Sequence, residues 1–366
     1  SSEMGDNLNF VDLGSGRTAS AIEAGDNYTC AILDNASIKC WGSNAYGQLG
    51  QGDINNRGVG SSEMGDNLPI VDLGSGRTAN VIATGGGHTC AILDNSFVKC
   101  WGSNTSGQLG LGDNSNRGDG SNQMGDNLPI VDLGSGQTAK AISTGDSHTC
   151  VVLDTTSVKC WGSNVTGQLG LGDNSNRGDG SNEMGDNLPV IDLGSGKTAT
   201  SITTGTGYTC VLLDDDSVKC WGANASGQLG NGKQLSITSP PSSSIDLGDG
   251  ITATAISVGN SYTCVILDNS SIKCWGENES GQLGLGDTDD RDRNSRLANN
   301  LPAVDLGEGI TARAISAGDS HTCVVLDNSS IKCWGKNESG QLGLEDNITR
   351  GDGSAQMGDN LPIISL

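Results

Sequence analysis

The sequence is poor in aromatic residues, in basic residues and in long apolar runs. Aromatics make up 3% of its 366 residues, with only two Phe. Twenty Lys and Arg face 43 Asp and Glu, so the formal net charge is −23. A field of that sign repels phosphate backbones and anionic lipids, so nucleic acid is not an expected partner. No apolar run approaches the roughly 20 residues of a membrane helix, so membrane insertion is not expected.

Glycine and cysteine are plentiful instead, with 57 and 12 residues respectively. Glycine is unfavourable in helix interiors but suits short strands joined by tight turns. No segment places apolar residues at the 3.6-residue helical spacing over ten or more positions. The composition therefore predicts an all-β fold.

The cysteines mark an internal repeat. Two cysteines separated by nine residues and followed by Trp-Gly occur six times, and the first cysteines are 60, 60, 60, 54 and 59 residues apart. The unit at 124–170 contains four strand candidates, LPIVDL, AKAISTG, HTCVVLD and SVKCWG, separated by turn-forming residues. Six such units predict a β-propeller of six four-stranded blades in one domain. The predicted repeats are approximately 4–63, 64–123, 124–183, 184–241, 242–298 and 299–356, followed by a closing strand at 357–366.

The pattern GxxHTCxxLDxxSVKCWGxNxxGQLGxGD resembles the repeat of the regulator of chromosome condensation superfamily. The matching features are the Gly-x-x-His/Tyr opening, the Trp-Gly pair and Gly-Gln-Leu-Gly, and they cover essentially the whole chain. The resemblance implies a propeller, commonly of seven blades, so seven is the alternative to six. It also implies roles in nucleotide exchange, chromatin binding or protein inhibition. Nucleotide exchange and chromatin binding suit an acidic, cysteine-rich chain poorly. No functional residue of that family can be matched to a position in this sequence.

The two ends of the sequence share a motif. Residues 357–366, MGDNLPIISL, repeat the opening MGDNLNFVDL at 4–13. A strand from one terminus that completes a blade begun at the other would close the ring without an exposed edge. Six units carry seven such segments, however, so one is surplus. It is expected either to cap a neighbouring molecule or to belong to a longer array.

Each cysteine pair flanks a hairpin turn, so its members are expected to lie opposite each other. Directly opposed residues of a non-hydrogen-bonded pair are about 4.5 Å apart at Cα, which a disulfide accepts. Zinc is the competing interpretation, but the spacing and the three histidines do not suit it. The predicted disulfides are Cys30–Cys40, Cys90–Cys100, Cys150–Cys160, Cys210–Cys220, Cys264–Cys274 and Cys323–Cys333. Such sets are rare in reducing compartments, which predicts a secreted or cell-surface protein. Because no signal peptide precedes Ser1, we expect a mature or trimmed form.

Asn-x-Ser/Thr motifs are consistent with that compartment. Five candidate glycosylation sites follow Trp-Gly in what is expected to be an exposed loop: Asn104, Asn164, Asn224, Asn278 and Asn337. Five others lie elsewhere: Asn27, Asn35, Asn269, Asn328 and Asn347. The alternative is chance occurrence in an Asn- and Ser-rich chain, copied by duplication.

No catalytic constellation stands out. The three histidines, His88, His148 and His321, share one repeat position that elsewhere holds Tyr, which favours packing over a catalytic base. The lysine before each second cysteine is also expected to be part of the scaffold. No Ser/His/Asp order, paired-acid signature or phosphate-binding glycine loop is found. The protein is therefore predicted not to be an enzyme.

Two loop features remain as candidate sites. The segment GDTDDRDRNSR at 286–296 breaks the repeat, and its candidate calcium ligands are Asp287, Asp289, Asp290 and Asp292. A solvated loop is the competing interpretation, and no other cofactor is expected. Arg-Gly-Asp, the tripeptide that integrins recognise, occurs at 117–119, 177–179 and 350–352, but duplication copies such tripeptides readily.

Near-identity between units, surface loops included, suits repeated identical contacts better than a single active site. We therefore expect a non-enzymatic, extracellular structural or adhesive propeller that serves as a repeating subunit or scaffold of a cell-surface or filamentous assembly. Its partners would be copies of itself or other extracellular proteins. The alternative is a lectin-like or protein-inhibitor module that binds a glycan or a protein on its loop face.

Overall fold

The computed structural model describes residues 4–292 and 298–365, and its regular structure is almost entirely β. Eighteen strands form six three-stranded sheets, each in the order of the chain. The strands are Ala19–Ala24 (β1), Tyr28–Leu33 (β2), Ile38–Gly42 (β3), Ala79–Thr84 (β4), His88–Leu93 (β5), Val98–Gly102 (β6), Ala139–Thr144 (β7), His148–Leu153 (β8), Val158–Gly162 (β9), Ala199–Thr204 (β10), Tyr208–Leu213 (β11), Val218–Gly222 (β12), Ala253–Val258 (β13), Tyr262–Leu267 (β14), Ile272–Gly276 (β15), Ala312–Ala317 (β16), His321–Leu326 (β17) and Ile331–Gly335 (β18). Short 3₁₀ turns lie at Gly5–Asn7, Gly65–Asn67, Gly125–Asn127, Gly185–Asn187, Ala298–Asn300 and Gly358–Asn360. Over the described ranges, no helix has the length and apolar character needed to cross a bilayer.

The second and third strands of every sheet form an antiparallel hairpin in which the two cysteines are directly opposed. All six predicted disulfides are confirmed, each with a Cα–Cα distance of 4.1 Å. In the second sheet, the turn between the cysteines places Ser96 at φ +64°. Asn95 stabilises this turn, because its Oδ1 accepts a hydrogen bond from the Phe97 N–H at 3.3 Å.

The prediction of four strands per blade is wrong, because the fourth segment does not form a ladder. Residues 68–73, LPIVDL, lie along β3 with one backbone hydrogen bond, from Val71 N to Ile38 O at 2.9 Å. Pro69 lacks an N–H and has a fixed φ, so it cannot continue a regular ladder. We call such a segment a cap segment. The equivalent bonds in the other sheets run from Val131 to Val98, Ile191 to Val158, Ile245 to Val218, Val304 to Ile272 and Ile364 to Ile331.

The closing segment therefore differs from its expected role of completing a blade begun at the other terminus. Residues 361–365 form the cap segment of the sixth sheet, because Ile364 N donates to Ile331 O of β18 at 2.9 Å. The segment left over is the first one, at 8–13. Leu8, Phe10 and Val11 in it are all exposed.

Contacts divide the chain into two compact units. One unit comprises Phe10–Leu193 and Thr198–Gly207; the other comprises Ser1–Asn9, Gly194–Lys197 and Tyr208–Leu366. We call them the N-terminal and the C-terminal unit.

Each unit has its own core, built by stacking blades face to face. In the N-terminal unit, the cysteine-bearing face of the first sheet packs on Ala91, Leu93 and Trp101 of the second. The second sheet packs on the third in the same way. In the C-terminal unit, the equivalent clusters join the fourth sheet to the fifth and the fifth to the sixth. A blade therefore depends on a neighbour to bury both of its apolar faces.

Candidate binding surface on the repeated loops

A polar cleft lies beside the β2–β3 hairpin of the first sheet. It has a volume of about 440 Å³, and its lining includes Ser15, Arg17, Asn35, Lys39 and Asp66. We call it the rim cleft. Ser15 Oγ donates to Asp66 Oδ2 at 2.6 Å, and Arg17 forms a 3.3 Å ion pair with Asp34. The lining of the cleft thus includes a carboxylate, a guanidinium and a hydroxyl.

The serine–carboxylate pair recurs in the next two blades of the N-terminal unit. Ser75 Oγ donates to Asp126 at 2.5 Å, and Ser135 Oγ donates to Asp186 at 2.6 Å. In each pair the serine hydrogen bond is the main cause that lowers the pKa of the aspartate. The carboxylate is therefore ionised and accepts a hydrogen bond from the serine hydroxyl. The pair thus offers an ionised acceptor and a hydroxyl group on the surface of the cleft.

An exposed apolar side chain follows the proline of several cap segments and borders this rim. Ile70, Ile130 and Val190 of the N-terminal unit and Ile363 of the C-terminal unit are about half exposed. Each follows a Leu-Pro pair. Together with the serine–aspartate pairs, these side chains give the rim a repeated, mixed apolar and acidic character.

The lysine before the second cysteine is a scaffold residue, as predicted. Lys99 is buried, and its Nζ donates to Leu73 O at 3.0 Å and to Gly125 O at 2.7 Å. Burial lowers the pKa of Lys99, while Asp126 and Asp72 oppose that shift. The Lys99 ammonium thus joins the cap segment of the first sheet to the 3₁₀ turn that follows the second sheet. Lys39, Lys159 and Lys332 form the equivalent pair of hydrogen bonds, each to a leucine carbonyl and to the glycine carbonyl of a 3₁₀ turn.

The geometry around the histidines supports packing rather than catalysis. His88 and His148 are fully buried, and the His88 Nε2 lies 2.9 Å from Thr149 Oγ1. Burial is the main cause that lowers the pKa of each ring to about 3. Such rings are neutral at physiological pH and have no access to solvent. His321 is only partly buried, and burial lowers its pKa while Asp319 opposes the shift.

The prediction that the asparagines after Trp-Gly lie in an exposed loop is wrong. Asn104 is completely buried; its Nδ2 donates to Asp113 O at 2.7 Å, and its Oδ1 accepts from Leu109 N at 3.0 Å. This side chain joins two loops, and its amide nitrogen is not available for a sugar in the folded protein. The same burial and bonding hold for Asn164, Asn224, Asn278 and Asn337.

The sequence contained a signal for this structural role. Asn44 occupies the same repeat position but is followed by Ala-Tyr, so it is not a glycosylation motif. It is nevertheless buried, and its side chain bonds Asp53 O and Leu49 N. The asparagine, rather than the motif, is what all six repeats share.

The other five glycosylation candidates are exposed. In the hairpin turns, Asn35, Asn269 and Asn328 use Oδ1 to accept a bond from the backbone N–H two residues later. Their Nδ2 atoms are not needed for that bond. Asn27 and Asn347 lie in loops, and Asn347 Nδ2 donates to Glu338 O at 3.0 Å.

The candidate calcium ligands are largely engaged with protein donors. Asp287 pairs with Arg291 at 2.7 Å, Asp290 Oδ1 accepts from Asn278 N at 2.8 Å, and Asp292 accepts from Gln234 at 2.7 Å. The Asp289 N–H donates to Asp287 Oδ1. Residues 293–296 of this segment lie outside the described residues. Across residues 4–292 and 298–365, no group of three or more His, Cys, Asp or Glu is arranged to hold a metal ion.

The Arg-Gly-Asp segments are part of the scaffold. Arg117 forms a 2.6 Å ion pair with Asp113, and its backbone pairs with Gly102. Gly118 O accepts a bond from Gly52 N at 3.0 Å in the preceding blade. Arg177 and Arg350 form the same ion pair, with Asp173 and Asp346. The guanidinium is therefore committed within the chain and is not presented to a receptor.

The fold and surface define a class: an all-β repeat protein of stacked, disulfide-bonded blades that presents similar loops many times. The chain belongs to the Regulator of chromosome condensation (RCC1) repeat family, and its fold is a β-propeller of six blades. Matches to the family's repeat cover 19–48, 81–108, 139–168, 199–228, 253–282 and 312–341, and in a longer form 40–92, 98–152, 215–266 and 274–325. The resemblance stated from the sequence is thereby confirmed.

Named relatives show a range of roles on this fold. The Ultraviolet-B receptor UVR8 of Arabidopsis thaliana is 28% identical over 330 residues, which are 89% of this chain and 67% of the receptor. The human Probable E3 ubiquitin-protein ligase HERC6 is 28% identical over 267 residues, 71% of this chain but only 24% of that protein. The structure of Prp20p from Saccharomyces cerevisiae, described with its binding to Gsp1p and histones, has a TM-score of 0.71 at 19% identity. That match covers 90% of this chain and 75% of Prp20p.

Proposed function

We propose that the protein is a non-enzymatic scaffold that binds other proteins through the repeated rim of its blades. The observation that carries this proposal is the recurrence of one surface geometry, a serine–aspartate pair beside an exposed Ile or Val, in three successive blades. Repeated weak contacts of one kind add up to tight binding when a partner also carries several of them.

The compartment in this proposal is the cell surface or the extracellular space. All twelve cysteines form disulfides and none is free, an arrangement typical of oxidising compartments. The acidic charge favours basic or neutral partners over nucleic acid. Partners would be copies of this chain or other extracellular proteins, in a structural or adhesive assembly. Adhesion through Arg-Gly-Asp is not part of the proposal, because those arginines are paired within the scaffold.

The alternative is a lectin-like or inhibitor module, and the polar character of the rim cleft favours it. The lining of hydroxyl, amide, carboxylate and guanidinium groups offers donors and acceptors that suit sugar hydroxyls. A glycan array with the purified full chain distinguishes the two. Binding to one class of sugar that a Ser15→Ala, Asp66→Asn variant loses would support the lectin alternative.

The scaffold proposal is tested by charging the apolar rim in the full chain. We expect the triple variant Ile70→Asp, Ile130→Asp, Val190→Asp to be released from native assemblies as single molecules. Each single variant should stay largely assembled, because the remaining contacts still hold it. The matched control is Val165→Asp, a change of the same kind at an exposed position in a different loop.

Native gel sizing and electron microscopy of material from the source cells provide the measurement. Labelling of intact cells with a membrane-impermeant reagent tests the compartment in the same preparation. Assemblies of unchanged size in the triple variant would contradict binding through the rim. Free thiols in the native protein would contradict the extracellular location.

A further inference from the structure

The loop that follows the fourth sheet differs in composition from the loops that follow the other sheets. Residues 238–244 read Thr-Ser-Pro-Pro-Ser-Ser-Ser, so each of the seven is Ser, Thr or Pro. We call them the hydroxyl loop. The equivalent loop of the third sheet, 178–190, has thirteen residues and contains the Met-Gly-Asp-Asn turn. That turn is fixed internally, because Leu188 N donates to Gly185 O at 3.3 Å.

Backbone hydrogen bonds to β12 hold the hydroxyl loop at both ends. Before it, the N and O atoms of Ile237 bond Gly222 at 3.1 and 2.9 Å. After it, Ile245 N donates to Val218 O at 2.8 Å. Between these two anchors, no backbone group of the loop bonds another residue of the described ranges. The loop is therefore fixed in place at its ends, with a free backbone between them.

Most hydroxyl groups of this loop are accessible. Ser244 is the exception, because it is half-buried and its Oγ donates to Ser217 Oγ at 2.9 Å. The other four hydroxyl residues are at least partly exposed and make no hydrogen bond to another described residue: Thr238, Ser239, Ser242 and Ser243. An enzyme that modifies hydroxyls could therefore reach four of the five without displacing a protein partner.

The two prolines favour an extended backbone in the hydroxyl loop. Pro240 and Pro241 have a fixed φ and no N–H, so neither a helix nor a sheet ladder continues across them. A proline also holds the residue before it in the extended region, which here is Ser239 for Pro240. A modifying enzyme can bind such a segment without first unfolding it. Segments rich in Ser, Thr and Pro are typical sites of O-glycosylation.

We propose that the hydroxyl loop is an O-glycosylation site whose acceptors are Thr238, Ser239, Ser242 and Ser243. In the reaction, a Ser or Thr Oγ attacks the anomeric carbon of a nucleotide-activated sugar, and a carbon–oxygen bond forms. The bond from that carbon to the diphosphate breaks, the nucleoside diphosphate leaves, and the hydroxyl proton passes to a base of the glycosyltransferase. This site depends on the extracellular location in the proposed function, because the chain meets such enzymes on the secretory route.

The sugars would protect a segment that is otherwise prone to cleavage. Exposed loops of small and polar residues are preferred sites of proteolytic nicking. Every disulfide joins two cysteines ten positions apart within one hairpin, so none spans the hydroxyl loop. A cut there would leave no covalent link between the residues before it and those after it.

Peptide mapping of the native protein from its source cells tests the site directly. Cleavage after Lys233 and before Asp246 releases residues 234–245, which contain neither Asn nor Cys. A mass gain on this peptide therefore cannot come from an Asn-linked sugar or a disulfide. We expect a mass above the sequence mass by one or more sugar residues, which fragmentation places on the four accessible hydroxyls. Ser181, an exposed serine without an adjacent proline, is the matched control and should stay unmodified.

A variant of the full chain removes the acceptors and keeps the prolines and both anchors: Thr238→Ala, Ser239→Ala, Ser242→Ala, Ser243→Ala. We expect it to form all six disulfides, to carry no sugar on residues 234–245, and to be cut in the loop several-fold faster by a broad-specificity protease. The wild-type chain stripped of O-linked sugar controls for the substitutions and should be cut at the same fast rate. Cutting of the variant at the native rate would contradict the protective role.

Four results of the mapping would overturn the site. Residues 234–245 at their sequence mass, in native protein whose twelve cysteines are all disulfide-bonded, would overturn it and leave the proposed location intact. The same mass together with free thiols would contradict both. A mass gain that corresponds to phosphate would show a kinase rather than a glycosyltransferase as the modifying enzyme. A sugar on Ser244 alone would contradict the selection of acceptors by exposure.

Discussion

The first and second sheets have nearly the same sequence in different surroundings. Cys-Ala-Ile-Leu-Asp-Asn occurs at 30–35 and again at 90–95, and both hairpins have the same register and disulfide. Yet β1 is exposed at every position, while β4 buries Ala79, Ile82 and Ala83. The hairpin is therefore set by local sequence, while burial of its faces is supplied by the neighbouring blade. This is the nearest-neighbour logic of repeat proteins.

The comparison is sharpest at the repeated tryptophan. Trp101→Ala removes a fully buried indole and its bond to Gln48 O, so we expect a loss of about 3–5 kcal/mol in the free energy of unfolding. Trp41→Ala removes a half-buried indole and should cost less than half as much. Denaturant unfolding under non-reducing conditions, followed for both variants, gives the measurement. Equal losses would show that the first blade is packed as tightly as the second.

Substitutions of a buried and of an exposed asparagine should differ in the same way. Asn104→Ala leaves the Leu109 N–H and the Asp113 carbonyl without their buried partner, at a cost of about 2–3 kcal/mol. Asn35→Ala removes only turn bonds to Ser37 at the surface and should cost less than about 1 kcal/mol. Thermal unfolding compares the two stabilities, and intact mass of the native protein locates any sugars. A glycan on Asn104 in folded material would contradict the buried position.

Acid should weaken the blades that contain buried histidine. The unfolded pKa of about 6.5 exceeds the folded value of about 3 for His88 and His148, so the unfolded chain binds more protons as pH falls below 6.5. Stability is then fully present above pH 6.5 and falls by roughly 1.4 kcal/mol per pH unit for each ring. Between pH 5 and 6.5 most carboxylates stay ionised, which isolates the histidine contribution.

Tyrosine offers a natural control for this pH dependence. Tyr28 occupies the position equivalent to His88 and donates its hydroxyl to the His88 carbonyl at 2.6 Å. In the His88→Tyr variant, the slope of the unfolding free energy against pH should fall by the contribution of one histidine, while stability at pH 7.5 changes little. Urea unfolding at several pH values measures that slope. An unchanged slope would place the titrating group elsewhere.

What could be predicted from the sequence follows the same division between local and neighbouring contacts. The alternation around Cys90 and Cys100 gives the hairpin, its register and its disulfide, because these depend on residues within about ten positions. The family resemblance gives the blade architecture. The scaffold role of the lysines was expected from their position before the second cysteine.

The errors concern partners distant in sequence. The cap segment has an apolar strand-like sequence, but Pro69 and a single bond to β3, about 30 residues earlier, decide its structure. Asn104 is the exception, because its partners Leu109 and Asp113 lie only five and nine residues later, and there the glycosylation motif itself misled the prediction. In the rim cleft, Ser15 bonds Asp66, which is 51 residues away, and no local sequence pattern predicts that pair.

The smallest expected effect compares two disulfides within the C-terminal unit. Cys323 of the last sheet is partly exposed, whereas Cys264 and Cys274 are fully buried between sheets. Because exchange requires a thiolate to reach a sulfur atom, Cys323–Cys333 should be reduced several-fold faster than Cys264–Cys274 at low reductant. Timed alkylation followed by peptide mapping gives both rates in one sample. Matching rates would mean that local opening, rather than access in the folded state, limits reduction. In that case the last blade would not differ from its interior neighbour in the way that its exposure indicates.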